Sequence, residues 1–132
     1  MKDRLAIVTG AGSGIGYATA LALASRGARI AAIDINADSA SATADAIRKA
    51  GGVAASYHAD VSRSAEVHAA LTAAVRDSGP IEIMVNNAGV LDGYFNVDEL
   101  DESTWRRVID IDLTGVFLCC KQALADMLPR GA

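Results

Sequence analysis

The residues best placed to do chemistry open the chain. A short apolar run, Leu5-Ala6-Ile7-Val8, leads straight into Thr9-Gly10-Ala11-Gly12-Ser13-Gly14-Ile15-Gly16, where a helical pattern begins. A phosphate needs backbone N–H groups aimed at it and the positive end of a helix behind them. It also needs a chain without side chains in the way, which glycine supplies together with a tight turn. Glycines at 10, 14 and 16 meet these needs. They would also serve a plain strand-to-helix turn, but a strand before, a helix after and a strand-end acid further on favour a phosphate loop.

That acid is Asp34, eighteen residues after Gly16. A carboxylate there accepts both ribose hydroxyls of an adenosine and repels a 2′-phosphate. No Lys or Arg lies in residues 10–16, and Ile35 follows the acid, so NAD is expected over NADP. The plainer alternative is an exposed acid starting a turn with Asn36. Competing loops fail on residue type. A mononucleotide P-loop needs Gly-Lys-Ser/Thr, and no Lys occurs between Arg4 and Lys49. The common Gly-x-Gly-x-x-Gly also fails, because Ile15 or Tyr17 falls where its third glycine belongs. At the end of a third apolar run, Asp60-Val61 offers a carboxylate to an adenine amine and an apolar contact to its ring. Asp60 serves equally well as a turn residue before Ser62.

Composition narrows the classes. The 132 residues suit one domain; 52% are hydrophobic and 21% charged, which excludes a disordered tail. The net charge of −4 argues against a nucleic-acid or anionic-membrane surface. No apolar run approaches the roughly 20 residues that span a bilayer. The run after Met1-Lys2-Asp3-Arg4 is too short for a secretory signal. Cys119 and Cys120 are adjacent and suit helix packing in a reducing compartment, so a cytoplasmic location is expected. His58 and His68 have no third ligand in view, so no metal is expected.

Positioning the loop and the acid requires alternating strands and helices. Leu5–Val8, Arg29–Asp34, Val53–Asp60 and Ile81–Val85 read as strands, the first buried on both faces. Helical patterns fill Gly14–Arg26, with Ile15, Ala18, Ala22 and Leu23 near one face, then Ala37–Ala50 and a segment ending near Arg76. Ser62 or Ser64 can cap that third helix. A loop of about ten residues follows Asn86-Asn87-Ala88-Gly89. A long helical pattern then runs from Asp101 to Leu128, with Trp105 as an expected core anchor and Gly115 as a possible bend. Such alternation means right-handed βαβ units and a parallel sheet with helices on both faces. Gly93-Tyr94-Phe95 would either line a substrate entrance or pack the loop.

With Thr9 to Gly16, Asp34, Asp60 and Asn86-Asn87-Ala88-Gly89 in order, the chain resembles the short-chain dehydrogenase/reductase family. The resemblance implies an α/β, Rossmann-like, doubly wound sheet, with four strands in the order 3-2-1-4 that stop before a fifth. It implies that Gly10, Gly12, Ser13, Gly14, Ile15 and Gly16 hold the pyrophosphate side, Asp34 the adenosine ribose, and Asp60 and Val61 the adenine. Asn87, Ala88 and Gly89 would border the nicotinamide-side ribose, while Asn86 would mainly brace the sheet. Family members move a hydride between NAD(P) and an alcohol or carbonyl carbon, and many are homodimers or homotetramers built partly on the long helix.

The family's Ser and Tyr-x-x-x-Lys are absent: Tyr17, Tyr57 and Tyr94 are followed four residues on by Leu21, Val61 and Asp98. The family's Asn position, before Leu-x-Gly, is held by Asp112, a candidate catalytic residue or a helix residue without a role. The expectation is therefore the cofactor half of an NAD-dependent oxidoreductase acting on a small alcohol or carbonyl compound. These 132 residues would be a piece of a longer protein, or else a natural truncation, and inactive alone. The alternative is a non-catalytic dinucleotide-binding or sensing protein.

Overall fold

A computed structural model describes residues 1–131. Four parallel strands form one sheet in the order β3-β2-β1-β4: β1 is Leu5–Thr9, β2 Arg29–Asp34, β3 Val53–His58 and β4 Ile81–Val85. Helices α1 (Gly14–Ala24), α2 (Ala37–Lys49) and α3 (Ser64–Ser78) make the crossovers. After β4 the chain runs through α4 (Glu102–Ile109), a π-helical turn (Asp110–Thr114), α5 (Gly115–Met127) and a last 3-10 turn (Leu128–Arg130). This is the doubly wound arrangement that the alternating pattern predicts.

The pleat of the strands divides the core. In β1, Leu5 and Ile7 face α3 and α5, while Ala6 and Val8 face α1 and α2. In β2, Ala31 and Ile33 go to the first layer, and Ile30 and Ala32 to the second. Both faces of the two central strands are thus dry, which is why each reads as an unbroken apolar run. The edge strand β3 is only half-buried and reads more weakly.

Local expectations are corrected at several points. The buried stripe of α1 is Gly16 and Ala20, whereas Ile15, Ala18 and Ala22 are exposed. The helix meets the sheet through its smallest residues because its N-terminus must come close to β1. It also ends at Ala24, leaving Arg26 in the following turn. β3 stops at His58, two residues short of Asp60. Neither Ser62 nor Ser64 caps α3: Arg63 stands at the N-cap without a side-chain bond, and Glu66 Oε2 instead accepts from the Asp60 amide at 2.9 Å.

The long C-terminal helix is broken by the π turn at 110–114, not at Gly115. Gly115 is glycine for closeness. A Cβ there would sit 2.9 Å from Val61 Cγ2, so α5 can pass against the Asp60-Val61 loop only without a side chain. Trp105 is no core anchor among the described residues: 57% of it is exposed. Phe117, Leu113, Leu124 and Leu128 are also exposed, forming with Trp105 an apolar stripe along α4 and α5.

Caps follow the usual chemistry elsewhere. Asn36 accepts from the Ser39 amide at 3.0 Å, and Asp101 accepts from Thr104 at 2.9 Å. Bonds from Ser103 and Thr104 hold the Asp101 carboxyl well below the usual carboxylate range. Between β3 and α3, the half-buried Tyr57 hydroxyl donates to Asp77 at 3.1 Å. Burial first, and this bond second, push its pKa up to about 12.

Thr43 ties α2 to the glycine loop. Its fully buried hydroxyl donates to the Ala11 carbonyl at 2.8 Å. Thr43→Val would leave that carbonyl without its partner, at a cost of about 1–2 kcal/mol. The expected outcome is a melting temperature lower by several degrees, read by circular dichroism, with Thr43→Ser close to the parent. For Tyr57, a folded pKa above the unfolded value of about 10 gives a contribution complete below pH 10. That contribution is lost as pH rises towards 12. Tyr57→Phe should flatten this alkaline decline in a series of melts.

Candidate functional site

The carboxyl ends of the strands surround a cleft of about 510 Å³. Its lining includes the glycine loop (Gly10, Ser13, Gly14, Ile15), the ends of β2 and β3 (Asp34, Asp60, Val61) and the residues after β4 (Asn87, Ala88, Gly89). Segments far apart in the chain thus meet where ligands bind in open α/β sheets. Gly12 and Gly16, also expected to hold the pyrophosphate, are not among the residues that line the cleft.

Each glycine of the loop answers a separate demand. Gly10 has φ +62°, and a Cβ would lie 2.9 Å from Ala88 Cα. At Gly16 a Cβ would lie 2.0 Å from the Gly10 carbonyl oxygen and 2.5 Å from Asn87 Nδ2, so this position must be bare for α1 to start against β1. At Gly12 a Cβ would meet Ser39 Cβ at 2.6 Å and Asp34 Oδ2 at 2.8 Å. Gly14 differs. It has φ +52°, yet nothing lies within 4 Å of where its Cβ would point. The space before Gly14 is an open cradle that a methyl group would partly fill.

The start of α1 is also uncapped. Ser13 occupies the N-cap in extended backbone and makes no side-chain hydrogen bond to the first turn. The first amides of a helix have no acceptor within the helix. Left without a cap, they carry partial positive charge suited to an anion. The cradle and these amides fit a pyrophosphate.

Asp34 is locked in orientation. Its Oδ2 accepts from the Gly12 amide at 2.8 Å, and its Oδ1 from the Asn36 amide at 2.9 Å. A carboxylate has about four lone-pair sites, so acceptor capacity remains toward the cleft for a diol. Asp60 is more committed to its own turn. Its Oδ1 accepts from Ser62 N at 2.9 Å and Ser62 Oγ at 2.6 Å. The turn role that the sequence left open is therefore real, and Asp60 still borders the cleft beside Val61.

The bracing of the strand ends falls to residues that sequence reasoning passed over or misplaced. Thr9 is buried, and its hydroxyl accepts from the amides of Asn87 and Ala88, both at 3.1 Å. Asn87 Nδ2 donates back to the carbonyls of Thr9 at 3.0 Å and Gly10 at 3.2 Å. Asn87, rather than Asn86, thus staples β4 to β1. Asn86 reaches the other way, donating to Cys120 Sγ at 3.2 Å, which ties the end of β4 to α5. Cys119 is buried, and that burial pushes its thiol up to about 11, so it is a packing group.

Asp112 lies in the π turn, and its Oδ1 accepts from the Val90 amide at 2.9 Å. It anchors the loop just beyond Gly89, whose Cβ, if present, would sit 3.4 Å from the same oxygen. Beyond that anchor Leu91, Tyr94, Phe95 and Val97 are exposed, with Tyr94 at φ +63°. Arg107 of α4 and Ile111 of the π turn also line the cleft, and neither was singled out from sequence. The signal was present as spacing: 107, 111 and 115 share one helical face, and 115 is the glycine that touches Val61.

The fold and cleft define a dinucleotide-type α/β protein. The short chain dehydrogenase family model matches residues 4–132, and the chain belongs to that family. It is 45% identical over 130 residues to cis-4-hydroxycyclohexanecarboxylate dehydrogenase of Sinomonas cyclohexanicum, covering 98% of this chain and 52% of that protein. A 3-ketoacyl-ACP reductase from Sinorhizobium meliloti 1021 superposes with a TM-score of 0.94 at 37% identity, over 97% of this chain and 50% of that one. A metagenomic short-chain oxidoreductase solved in complex with NADP superposes at 0.93 with 30% identity, over 98% and 59%. The chain thus spans about half the length of the relatives it matches. Among its described residues, no helix is long and apolar enough to cross a membrane.

Gly14 and Gly16 answer different demands, open space at one and close approach at the other. Gly14→Ala is expected to cost about 1–2 kcal/mol for its left-handed backbone. The protein should still fold but lose NADH affinity by tenfold or more in a fluorescence titration. Gly16→Ala drives a methyl into a backbone carbonyl and should lower the melting temperature far more than Gly14→Ala. Equal melting temperatures for the two variants would count against this assignment.

Proposed function

We propose that residues 1–132 act as the cofactor-binding part of an NAD-dependent oxidoreductase. Its reaction moves a hydride between the nicotinamide and a small alcohol or carbonyl carbon. The observation that carries this reading is Asp34. Its carboxylate is held by two backbone amides in the lining of a cleft that also takes in an uncapped helix start. A carboxylate so fixed accepts a ribose diol and repels a 2′-phosphate. The NADP-bound relative shows that the family also takes the phosphorylated cofactor, so the choice rests on the residues at this position.

When bound, the cofactor would supply the nicotinamide carbon that takes up or gives the hydride. The chain's own residues bind and orient it. The amides at 13–16 meet the pyrophosphate, Asp34 the adenosine ribose, and Asp60 with Val61 the adenine. Asn87, Ala88 and Gly89 border the nicotinamide ribose, with Thr9 and the Asn87 side chain holding that segment in place. Asp112, at the family's Asn position, positions the loop after Gly89.

No Tyr-x-x-x-Lys lies in the chain, so proton transfer at the substrate oxygen requires groups outside these 132 residues. Alone, they are expected to bind cofactor without turnover. The dehydrogenase names of relatives, a hydroxylated cyclohexane carboxylate among their substrates, support a small secondary alcohol. The exposed apolar side chains along α4 and α5 support a homodimer or homotetramer built partly on that helix.

The test is paired titration with NADH and NADPH, monitored by fluorescence. The parent should bind NADH more tightly. Asp34→Ala should weaken NADH by roughly a hundredfold or more, since each of the two ribose hydrogen bonds to the charged carboxylate contributes about 1.5–3 kcal/mol. NADPH should change little, because the repulsion of its 2′-phosphate disappears at the same time. Equal losses for both cofactors would overturn the assignment of Asp34, and a folded parent that binds neither would overturn the dinucleotide reading.

A further inference from the structure

One cation stands among the described residues that line the cleft: Arg107, in the last turn of α4. A basic residue at a helix C-terminus commonly serves the helix dipole. That account suits its neighbour Arg106, which also pairs with Glu102 at 2.8 Å. It does not explain why Arg107 faces a cleft, nor why no ion pair engages it among the described residues.

The position of Arg107 within the cleft follows from the helix. Gly115 packs on Val61; Ile111, one turn earlier, lines the cleft; Arg107, one turn earlier again, lines it too. Arg107 therefore enters from the α3 and α5 side of the sheet, the side on which Ile111 and Val61 pack. The open amides of α1 and the ribose acid Asp34 lie on the α1 and α2 side, where Gly12 and Ser39 crowd the carboxylate. Arg107 is thus placed away from both the pyrophosphate cradle and the 2′ position, at the end left for the base.

We propose that Arg107 is a binding residue for the purine base, its guanidinium lying against the adenine ring at the Asp60-Val61-Ile111 end of the cleft. The planar, weakly hydrated guanidinium is suited to an aromatic face. The same pocket is lined by Val61 and by Ile111, one turn along from Arg107, which give apolar contact without charge. The inference rests on the dinucleotide reading of the cleft and adds a base-recognition residue supplied by a helix beyond β4.

Four probes separate the parts: NADH, NADPH, ADP-ribose, and reduced nicotinamide mononucleotide, which has no adenosine. In Arg107→Met the affinities for NADH and ADP-ribose should fall roughly three- to thirtyfold, the range of a cation–π contact from exposed to desolvated. Arg107→Lys should be intermediate. Binding of the mononucleotide and the melting temperature should stay at parent values, since Arg107 pairs with no acid. Unchanged NADH affinity in Arg107→Met would overturn the proposal, as would a parallel loss for the mononucleotide. A loss confined to NADPH would overturn it too, by making Arg107 a 2′-phosphate contact. If the parent itself binds no NADH, the failure lies with the dinucleotide reading and not with Arg107 alone.

Discussion

Two chain segments in this molecule approach to a distance that only hydrogen allows. The Gly16 Cα lies against the carbonyl of Gly10, where even a methyl carbon would come within 2.0 Å of oxygen. That approach sets the start of α1 against the end of β1 and points its unpaired amides across the strand ends. The same contact includes Asn87 Nδ2, which donates to the carbonyls of Thr9 and Gly10. The helix start, the end of β1 and the turn after β4 are therefore one mechanical unit. A cleft whose walls come from both β1 and β4 depends on it.

Around this unit, several polar side chains spend their bonds on backbone. Thr9 accepts two amides, Thr43 holds Ala11, Asp34 takes two amides, and Asp112 takes Val90. Each satisfies a main-chain group that a loop at a sheet end would otherwise leave unpaired. Loops bonded in this way are positioned by the sheet without being part of it, which a binding cleft needs. The π turn at 110–114 belongs to the same scheme. It places Asp112 beside Gly89 while Ile111 stays in the cleft wall. Extra residues of this kind within helices are frequent at functional sites.

The architecture was readable in advance because its signals are local and repeated. β1 and β2 are buried on both faces and appear as continuous apolar runs; the helices between them have lengths suited to a crossover. The glycine loop and the strand-end position of Asp34 were readable for the same reason: a bare backbone or a strand-end carboxylate shows in residue type alone. Boundaries and faces were less legible. The α1 face was misassigned because hydrophobicity counts favour Ile15, whereas the contact with β1 is made by Gly16 and Ala20. Trp105 reads as core by type, yet among the described residues nothing covers most of it.

Residue order along the chain was enough to establish a parallel α/β sheet, a glycine-rich turn into a helix at 10–16 and an acid at the end of the second strand. These follow from short-range periodicity and from the stereochemistry of single residues. Which asparagine staples β4 to β1, why Thr9 and Thr43 must be hydroxyl residues, and how Arg107 comes to stand in the cleft all depend on partners about 30 to 80 positions apart. Such contacts exist only once the sheet has brought strand ends within a few ångströms of one another, and no local pattern encodes that distance.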